Sequence, residues 1–274
     1  MPEGPEIRRS TDQLAAALVG HVPEIQLLYP ALQPYHNGLQ GQKIVAVSSR
    51  SKAWLIHFEN ELTLYGHNQL YGVWMVRKSG SLPRTNRQLR LSLAGPRQWA
   101  LLYSCTDLAV LSPEQLVTHP YLSRLGPDVL DLNTDTETVL GRLHDPRFQR
   151  RRLHALLLDQ GFLAGLGNYL RSEMLFVAHI PPDYRPMDCT ETQLQALAEA
   201  ALDLPRRSYA TAGLTLAPEH VERLKAAGKP RRAWRFWVFA REGQPCHTCD
   251  TRVQKTVLGG RRLYFCPRCQ SESL

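Results

Sequence analysis

The sequence predicts an α+β protein of several domains, in which an antiparallel β-sandwich with a flanking helix precedes a helical domain and a small β-hairpin module. Two observations predict this order. Apolar residues alternate with polar ones between about residues 43 and 105, and the spacing becomes helical after Gly126-Pro127. Four of the six cysteines lie in the last 29 residues, which indicates a separate module. The expected domains are residues 1–125, 126–216 and 236–274, with residues 217–235 as a linker or loop.

The first domain is predicted to open with a helix from Pro5 to Leu18, because proline is favoured in the first turn, residues such as Ile7 and Leu14 fall on one face, and Gly20 ends the helix. The strands that follow are short, apolar and separated by turn residues such as Glu59-Asn60 and Gly95-Pro96. This pattern is typical of an antiparallel sandwich or barrel. The strands include residues 44–47, 54–58, 62–65 and 89–93.

The second domain is predicted to contain a glycine-rich turn between two helices. Gly165 and Gly167 permit positive φ, and Asn168 is a favourable N-cap for the helix that follows. Backbone N–H groups at such a helix start can hold a phosphate, although the segment alone is equally compatible with an ordinary helix–turn–helix hairpin. A dinucleotide-binding fingerprint is excluded because no strand precedes the turn. Helices are expected over residues 134–143, 151–160, 169–179 and 190–204.

The C-terminal cysteines form two pairs, Cys246 with Cys249 and Cys266 with Cys269, each separated by two residues. Such a gap lets one tight turn present two thiolates to the same ion, so the four predict a tetrahedral zinc site. Four cysteines leave no open position for a substrate, which makes the expected zinc structural, with no catalytic metal. A redox dithiol is the alternative, but that motif occurs once and follows a strand. The ligands are expected to flank a hairpin of residues 253–257 and 262–265.

The charge balance favours a polyanionic partner. The net charge is +8 and the pI is about 9.3, and from Arg223 to Arg262 there are eleven basic residues against two acidic ones. Nucleic acid and an anionic membrane surface both fit this balance. The sequence shows no targeting segment and no apolar run long enough to span a bilayer, so we expect a soluble, cytoplasmic protein that does not enter the membrane.

Three motifs, in order, resemble the formamidopyrimidine-DNA glycosylase and endonuclease VIII family. They are the start Met1-Pro2-Glu3-Gly4-Pro5-Glu6, the stretch from Leu157 to Asn168, and the four cysteines with Arg261. The likeness runs in register from residue 1 to residue 270. It implies a helix–two-turn–helix in the second domain, a C-terminal zinc finger, and excision of damaged bases from double-stranded DNA in base excision repair. A monomer that associates with the nucleoid through DNA is expected.

The resemblance assigns four catalytic residues. Removal of Met1 would give Pro2 a secondary amine that attacks the sugar and forms a Schiff base. Glu3 would be the proton donor that opens the sugar, and Lys52 would donate a proton during elimination. Arg261 would bind phosphate and assist δ-elimination. Without the resemblance, Pro2, Glu3 and Lys52 have the character of ordinary surface residues.

The resemblance also assigns five DNA-binding residues. Gln69, Leu70 and Tyr71 correspond to a wedge that fills the space left by an extruded base. In isolation, the same three residues are compatible with a strand whose Leu70 packs inward. Arg124 and Asn168 correspond to residues that hold phosphates. The acids that correspond to supporting residues are Glu6 and Glu173.

Within the family, the start of the chain and the run from Leu64 to Trp74 have the character of the branch that acts on oxidised pyrimidines such as thymine glycol, 5-hydroxyuracil and dihydrouracil. The alternatives are an oxidised-purine glycosylase on the same fold and a DNA-binding zinc protein without catalysis. The intact Pro2, Glu3 and Lys52 argue against the second alternative. The sequence leaves open whether Arg262 shares the phosphate with Arg261, and residues 217–233 match no part of the family.

Overall fold

The computed structural model describes residues 2–271, so Met1 and its expected removal lie outside the described residues. The chain divides into two units, Met1–Arg124 and Leu125–Leu274. The predicted α+β class is confirmed, because strands dominate the first unit while helices and one hairpin make up the second.

The described part of the first unit contains eight strands in two four-stranded antiparallel sheets, with one long helix. The helices are α1 (Gly4–Leu18), α2 (His36–Leu39) and α3 (Pro113–Thr118). The strands are β1 (Glu24–Leu27), β2 (Ile44–Arg50), β3 (Ala53–Phe58), β4 (Thr63–His67), β5 (Val73–Lys78), β6 (Leu89–Ala94), β7 (Gln98–Tyr103) and β8 (Asp107–Leu111). The orders within the sheets are β1-β6-β7-β5 and β2-β3-β4-β8.

The core of the first unit lies between these sheets and beneath α1. Ile7, Leu14 and Leu18 share one face of α1 at helical spacing, and all three are buried. Trp54 is buried opposite Gly66 on the neighbouring strand. A Cβ on Gly66 would lie 2.1 Å from Trp54 Cζ2, so the indole ring occupies the space that a side chain would need.

The described part of the second unit is helical and ends in a hairpin. Its elements are α4 (Thr136–His144), α5 (Leu153–Leu156), α6 (Asn168–Val177), α7 (Glu191–Ala210), α8 (Pro218–Ala226), β9 (Gln254–Leu258) and β10 (Arg261–Phe265). Gly259 and Gly260 link the two strands with positive φ values of 56° and 72°. Among the described residues, no helix combines the length and the apolar character that crossing a bilayer requires.

Several predicted helix boundaries in the second unit differ from the structure; α7, for example, continues past the predicted end at residue 204 to Ala210. Within the segment 151–160, only α5 is helical. In the turn that follows, side chains accept backbone N–H groups that a continuing helix would use; Asp159, for example, accepts the Gly161 N–H at 2.8 Å. The N-cap of α6 is Gly167, and Asn168 is the first helical residue. The Asn168 side chain is therefore not used as a cap.

The segment 217–235 is more ordered than the expected linker or loop. Pro218 begins α8, where its missing N–H costs no helical hydrogen bond. Val221 is buried in a small cluster with Leu214 and Leu216. The sequence did not predict this helix because Val221 is its one buried residue, which leaves no periodic apolar pattern to recognise.

Candidate functional site

The amino terminus is anchored by the start of α1. Pro2 is half-buried and precedes Glu3, which is the N-cap residue and only 3% exposed. The backbone N–H of Glu3 donates to the Glu6 carboxylate at 2.9 Å. This bond holds the chain at the residue directly after Pro2, so Glu6 supports the position at which the sequence predicts a nucleophilic amine.

Lys52 lies in the two-residue turn between β2 and β3. Its neighbour Ser51 has a positive φ of 59° and is buried, and the Tyr121 hydroxyl donates to Ser51 Oγ at 3.0 Å. Arg50 and Ala53 pair across the turn. A tight hairpin turn held in this way presents Lys52 on a fixed backbone.

His67 was missed in the sequence, and the structure places it beside Lys52. It ends β4 opposite Ala53. Burial lowers the pKa of His67, while Asp107 acts to raise this pKa and Lys52 to lower it further. The Gln69 N–H donates to His67 Nδ1 at 3.2 Å, which requires an unprotonated Nδ1. Strand pairing brings His67 close to Lys52 and Asp107, and no local sequence motif predicts that pairing.

The wedge loop, Gln69–Tyr71, joins β4 to β5 and projects into solvent. Leu70 is 59% exposed and Tyr71 is 69% exposed, while Gln69 adopts a positive φ of 47°. The loop is therefore not a strand with Leu70 packed inward. Leu70 and Tyr71 are adjacent on this tip, and side chains of this kind can insert between the bases of a duplex.

Several contacts hold the wedge loop from beneath. The buried Asn68 accepts the Trp54 indole N–H at 3.0 Å, and its carbonyl accepts the Gly72 N–H at 2.8 Å. A Cβ on Gly72 would lie 2.7 Å from that carbonyl oxygen, so the closure requires glycine. Arg87 donates to the Tyr71 carbonyl at 2.6 Å. The exposed side chains thus stand on a backbone that is fixed at both ends.

Arg124 is exposed at the end of a short 3-10 turn, Leu122–Arg124, at the limit of the first unit. Its backbone N–H donates to the carbonyl of Tyr121, the residue that contacts Ser51. Arg124 is therefore connected, through Tyr121, to the turn that carries Lys52.

In the second unit, Asn168 opens α6 after a tight glycine turn. Gly165 has a positive φ of 97°, and the Gln160 side chain ties the turn by accepting from Gly165 N and donating to Leu166 O, each at 3.0 Å. The Asn168 side chain accepts a hydrogen bond from Arg171 at 2.7 Å. The first N–H groups of a helix favour an anion, so this end of α6 suits a phosphate.

The four predicted cysteine ligands converge. Their Sγ atoms all lie within 4.8 Å of one another, and two of the contacts with Cys249, from Cys266 and Cys269, are 3.4 Å. Tetrahedral zinc with bonds of about 2.3 Å requires sulfur atoms about 3.8 Å apart. The donor set therefore fits a structural zinc ion. The zinc hairpin comprises β9, β10 and these four cysteines.

Arg261 and Arg262 are both exposed on β10 but point to opposite faces of it, as neighbours on a strand do. Leu263 shares its face with Arg261 and is buried in the helical core that includes Leu170. Tyr264 shares its face with Arg262 and packs among the cysteines. Arg261 therefore lies on the face of β10 that packs against the helical core, and Arg262 lies on the face of the cysteine cluster.

Glu173 is fully buried on α6 and anchors the segment that leads to the zinc hairpin. Its carboxylate accepts the backbone N–H groups of Trp237, Val238 and Phe239 at 2.7 to 2.9 Å, together with the hydroxyl of Thr215. Burial raises the pKa of Glu173, and these hydrogen bonds act to lower it. The role of Glu173 in this geometry is structural support.

Family models cover most of the chain. The formamidopyrimidine-DNA glycosylase N-terminal domain matches residues 1–105, and the H2TH (helix–two-turn–helix) domain of the same enzyme matches residues 125–217. A zinc finger found in FPG and IleRS matches residues 243–271.

Full-length relatives include proteins called Endonuclease 8. The protein from Escherichia coli (strain K12 / DH10B) is 48% identical over 98% of this chain and 100% of its own length. The protein from Shigella sonnei (strain Ss046) is 49% identical with the same coverage. Among solved structures, Lactococcus lactis formamidopyrimidine-DNA glycosylase bound to AP-site DNA has a TM-score of 0.81 at 20% identity, covering 98% of this chain and 100% of that chain. The same enzyme with DNA containing an oxidised pyrimidine has a TM-score of 0.82 at 21% identity, covering 99% and 100%.

Proposed function

We infer that this chain, which belongs to the formamidopyrimidine-DNA glycosylase and endonuclease VIII family, is a bifunctional DNA glycosylase and AP lyase of base excision repair. The observation that carries this conclusion is the identity of 48% with an Endonuclease 8 over the full length of that relative. We propose that oxidised pyrimidines in double-stranded DNA are the preferred substrates, and that the protein acts as a cytoplasmic monomer associated with the nucleoid.

Pro2 is proposed as the nucleophile. An α-amino group has a pKa near 8, so about a tenth of it is free base at neutral pH. Attack forms a bond from the Pro2 nitrogen to the sugar C1′, and the damaged base leaves with the electron pair of the broken C1′–N bond. Because Pro2 is a secondary amine, the intermediate is an iminium that carries a positive charge at every pH. The support from the structure is the fixed chain direction at Glu3.

Glu3, Lys52 and Arg261 are proposed to share the proton transfers and the phosphate contact. Glu3 would donate a proton to the ring oxygen as the sugar opens. The iminium then acidifies the C2′ hydrogens, so that loss of one breaks the C3′–O bond, with Lys52 as proton donor. A second elimination breaks the C5′–O bond while Arg261 binds the phosphate. The exposed guanidinium of Arg261 is suited to this role because its planar fork donates two parallel hydrogen bonds.

The wedge loop is proposed to replace the extruded base, while Arg124 and Asn168 hold phosphates. Damaged pyrimidines that have lost planarity stack poorly, so they cost less to extrude than an intact base. 8-Oxoguanine keeps its aromatic stacking and needs specific hydrogen bonds to be distinguished from guanine. A contiguous wedge on one short loop favours selection through the cost of extrusion, and hence oxidised pyrimidines.

The nucleophile is tested by borohydride trapping on a duplex that carries thymine glycol. A covalent complex should form, peptide mapping should place it on Pro2, and the undamaged duplex is the control. An adduct on a lysine, with trapping unchanged in Pro2→Gly, would disprove the assignment. Retention of Met1 in an active preparation would do the same.

The substrate class is tested by single-turnover excision from matched duplexes that carry thymine glycol, 5-hydroxyuracil, dihydrouracil or 8-oxoguanine, each opposite the base that pairs with its undamaged parent. We expect all three pyrimidines to leave faster than 8-oxoguanine. Faster excision of 8-oxoguanine than of every pyrimidine would assign the chain to the purine-acting branch instead.

A further inference from the structure

Arg171 is a fully buried residue of α6, one turn after Asn168. Its guanidinium donates to three oxygen atoms: the His154 carbonyl at 2.7 Å, Asn168 Oδ1 at 2.7 Å and the Arg262 carbonyl at 2.9 Å. One rigid side chain therefore contacts the helix start and the zinc hairpin at the same time. Arginine suits this because its donors are fixed in one plane.

The contact with Arg171 determines which way the Asn168 amide faces. A guanidinium has only donors, so the atom of Asn168 that meets it must be the carbonyl oxygen. The NH2 group of the amide is then directed away from Arg171, with two N–H donors at the first residue of α6. An anion at this helix end meets donors from the side chain as well as from the backbone. With the amide reversed, the carbonyl oxygen would repel a phosphate.

The second contact positions the zinc hairpin. The Arg262 carbonyl that accepts from Arg171 belongs to the residue directly after Arg261. A further bond, from Tyr264 N to Ser172 Oγ at 3.4 Å, joins the same strand to the next residue of α6. The backbone that carries Arg261 is thus fixed against α6 close to the point where the Arg261 side chain leaves it.

We propose that Arg171 is a positioning residue that orients both phosphate-binding groups of the second unit, the Asn168 amide and the Arg261 guanidinium. The proposal rests on the proposed function, in which these two groups hold DNA phosphates. Arg171 itself is buried, so its proposed role is to position these groups and not to contact DNA directly. Zinc holds the hairpin together, and Arg171 sets where the hairpin stands relative to the start of α6.

The test is a double-mutant cycle measured as the dissociation constant for a duplex with a tetrahydrofuran abasic site. Arg171→Lys keeps the charge but cannot reach three oxygens at once, so we expect binding about tenfold weaker than wild type. In an Asn168→Ala background the same substitution should have a clearly smaller effect, because one of its two targets is already lost. Zinc content should stay at the wild-type value. Arg206→Lys is the matched control, since Arg206 also donates to two backbone carbonyls of this unit, those of Asp131 and Thr134, and should bind DNA normally.

Wild-type affinity in Arg171→Lys, or equal effects in both backgrounds, overturns the proposal while leaving the phosphate role of Asn168 intact. Wild-type affinity in Asn168→Ala overturns that role and the proposal together.

If Arg171→Lys does not fold, the proposal is tested by NMR on the wild-type protein. The side-chain NH2 signals of Asn168, assigned by their loss in Asn168→Ala, should shift when the duplex binds, while the Arg171 guanidinium protons stay protected from exchange. Unshifted NH2 signals, or freely exchanging Arg171 protons, contradict the proposed orientation.

Discussion

The zinc hairpin and the wedge loop both display side chains to solvent, and they are held by different means. The hairpin has two short strands, and its four cysteines converge within 4.8 Å at the base. The wedge loop has no such cluster, and it stands on the sandwich through Asn68, Trp54 and Arg87. The hairpin therefore depends on a metal ion in addition to its hydrogen bonds with α6, whereas the wedge loop depends on hydrogen bonds to a large core.

The difference determines how each tip responds to the loss of one supporting contact. Metal binding supplies most of the folding energy of a small zinc module, so losing one ligand removes the whole arrangement. The wedge loop is anchored to a sandwich that folds around its own core, so losing one hydrogen bond costs only that bond and its desolvation. We expect an all-or-none response in the zinc hairpin and a graded one in the wedge loop.

The largest effect is expected from Cys249→Ser. The variant should lose its zinc, unfold the hairpin and displace Arg261, so that DNA affinity falls by at least about 100-fold and strand cleavage is lost. Metal analysis, a binding titration and a cleavage assay measure this. Cys189→Ser is the control, because Cys189 lies outside the cluster. An active, metal-free Cys249→Ser protein would contradict the structural role of zinc.

The zinc hairpin could be predicted from the sequence because its information is local. Two cysteine pairs, their spacing and a Gly-Gly turn lie within one short segment. The observed β9 is shifted by one residue from the predicted strand 253–257, and β10 begins one residue before the predicted strand 262–265. The preference for Arg261 over Arg262 came from the family resemblance and stays a prediction. The structure adds that the two side chains lie on opposite faces of β10.

The supports of the wedge loop could not be predicted, because they join residues that are distant in sequence. Asn68 accepts a hydrogen bond from Trp54 of the neighbouring strand β3, and Tyr71 accepts one from Arg87 in the loop before β6. No motif encodes either contact. The placement of His67 and Arg171 could not be predicted either, because their contacts also join residues that are distant in sequence. The roles of Pro2, Glu3 and Lys52 came from the family resemblance alone, and they remain predictions that the trapping experiment tests.

An intermediate effect is expected from Arg261→Ala. The loss of one phosphate contact should weaken DNA binding by about tenfold and reduce the slope of log affinity against log salt by about one. The products should stop at β-elimination, with less of the δ product. Arg262→Ala is the matched control on the opposite face of β10 and should change these readouts less. If Arg262→Ala gives the stronger loss, the assignment of the two arginines is reversed.

The smallest effects on stability, and the sharpest view of how the wedge loop works, come from comparing Tyr71→Ala with Asn68→Ala. Tyr71 is 69% exposed, so its removal should change the free energy of unfolding by less than about 0.5 kcal/mol. It should nevertheless slow the excision of every lesion, because the wedge acts before the base is recognised.

Asn68 is buried and bonded to Trp54, so Asn68→Ala should lower the free energy of unfolding by about 1–3 kcal/mol, since the indole N–H loses its acceptor. Excision should slow here too, although Asn68 displays no side chain to the duplex, because the loop loses its support. Denaturant unfolding and single-turnover excision measure the two quantities separately. A loss confined to one lesion in Tyr71→Ala would mean that Tyr71 reads the base itself, and normal excision in Asn68→Ala would mean that the loop needs no fixed support.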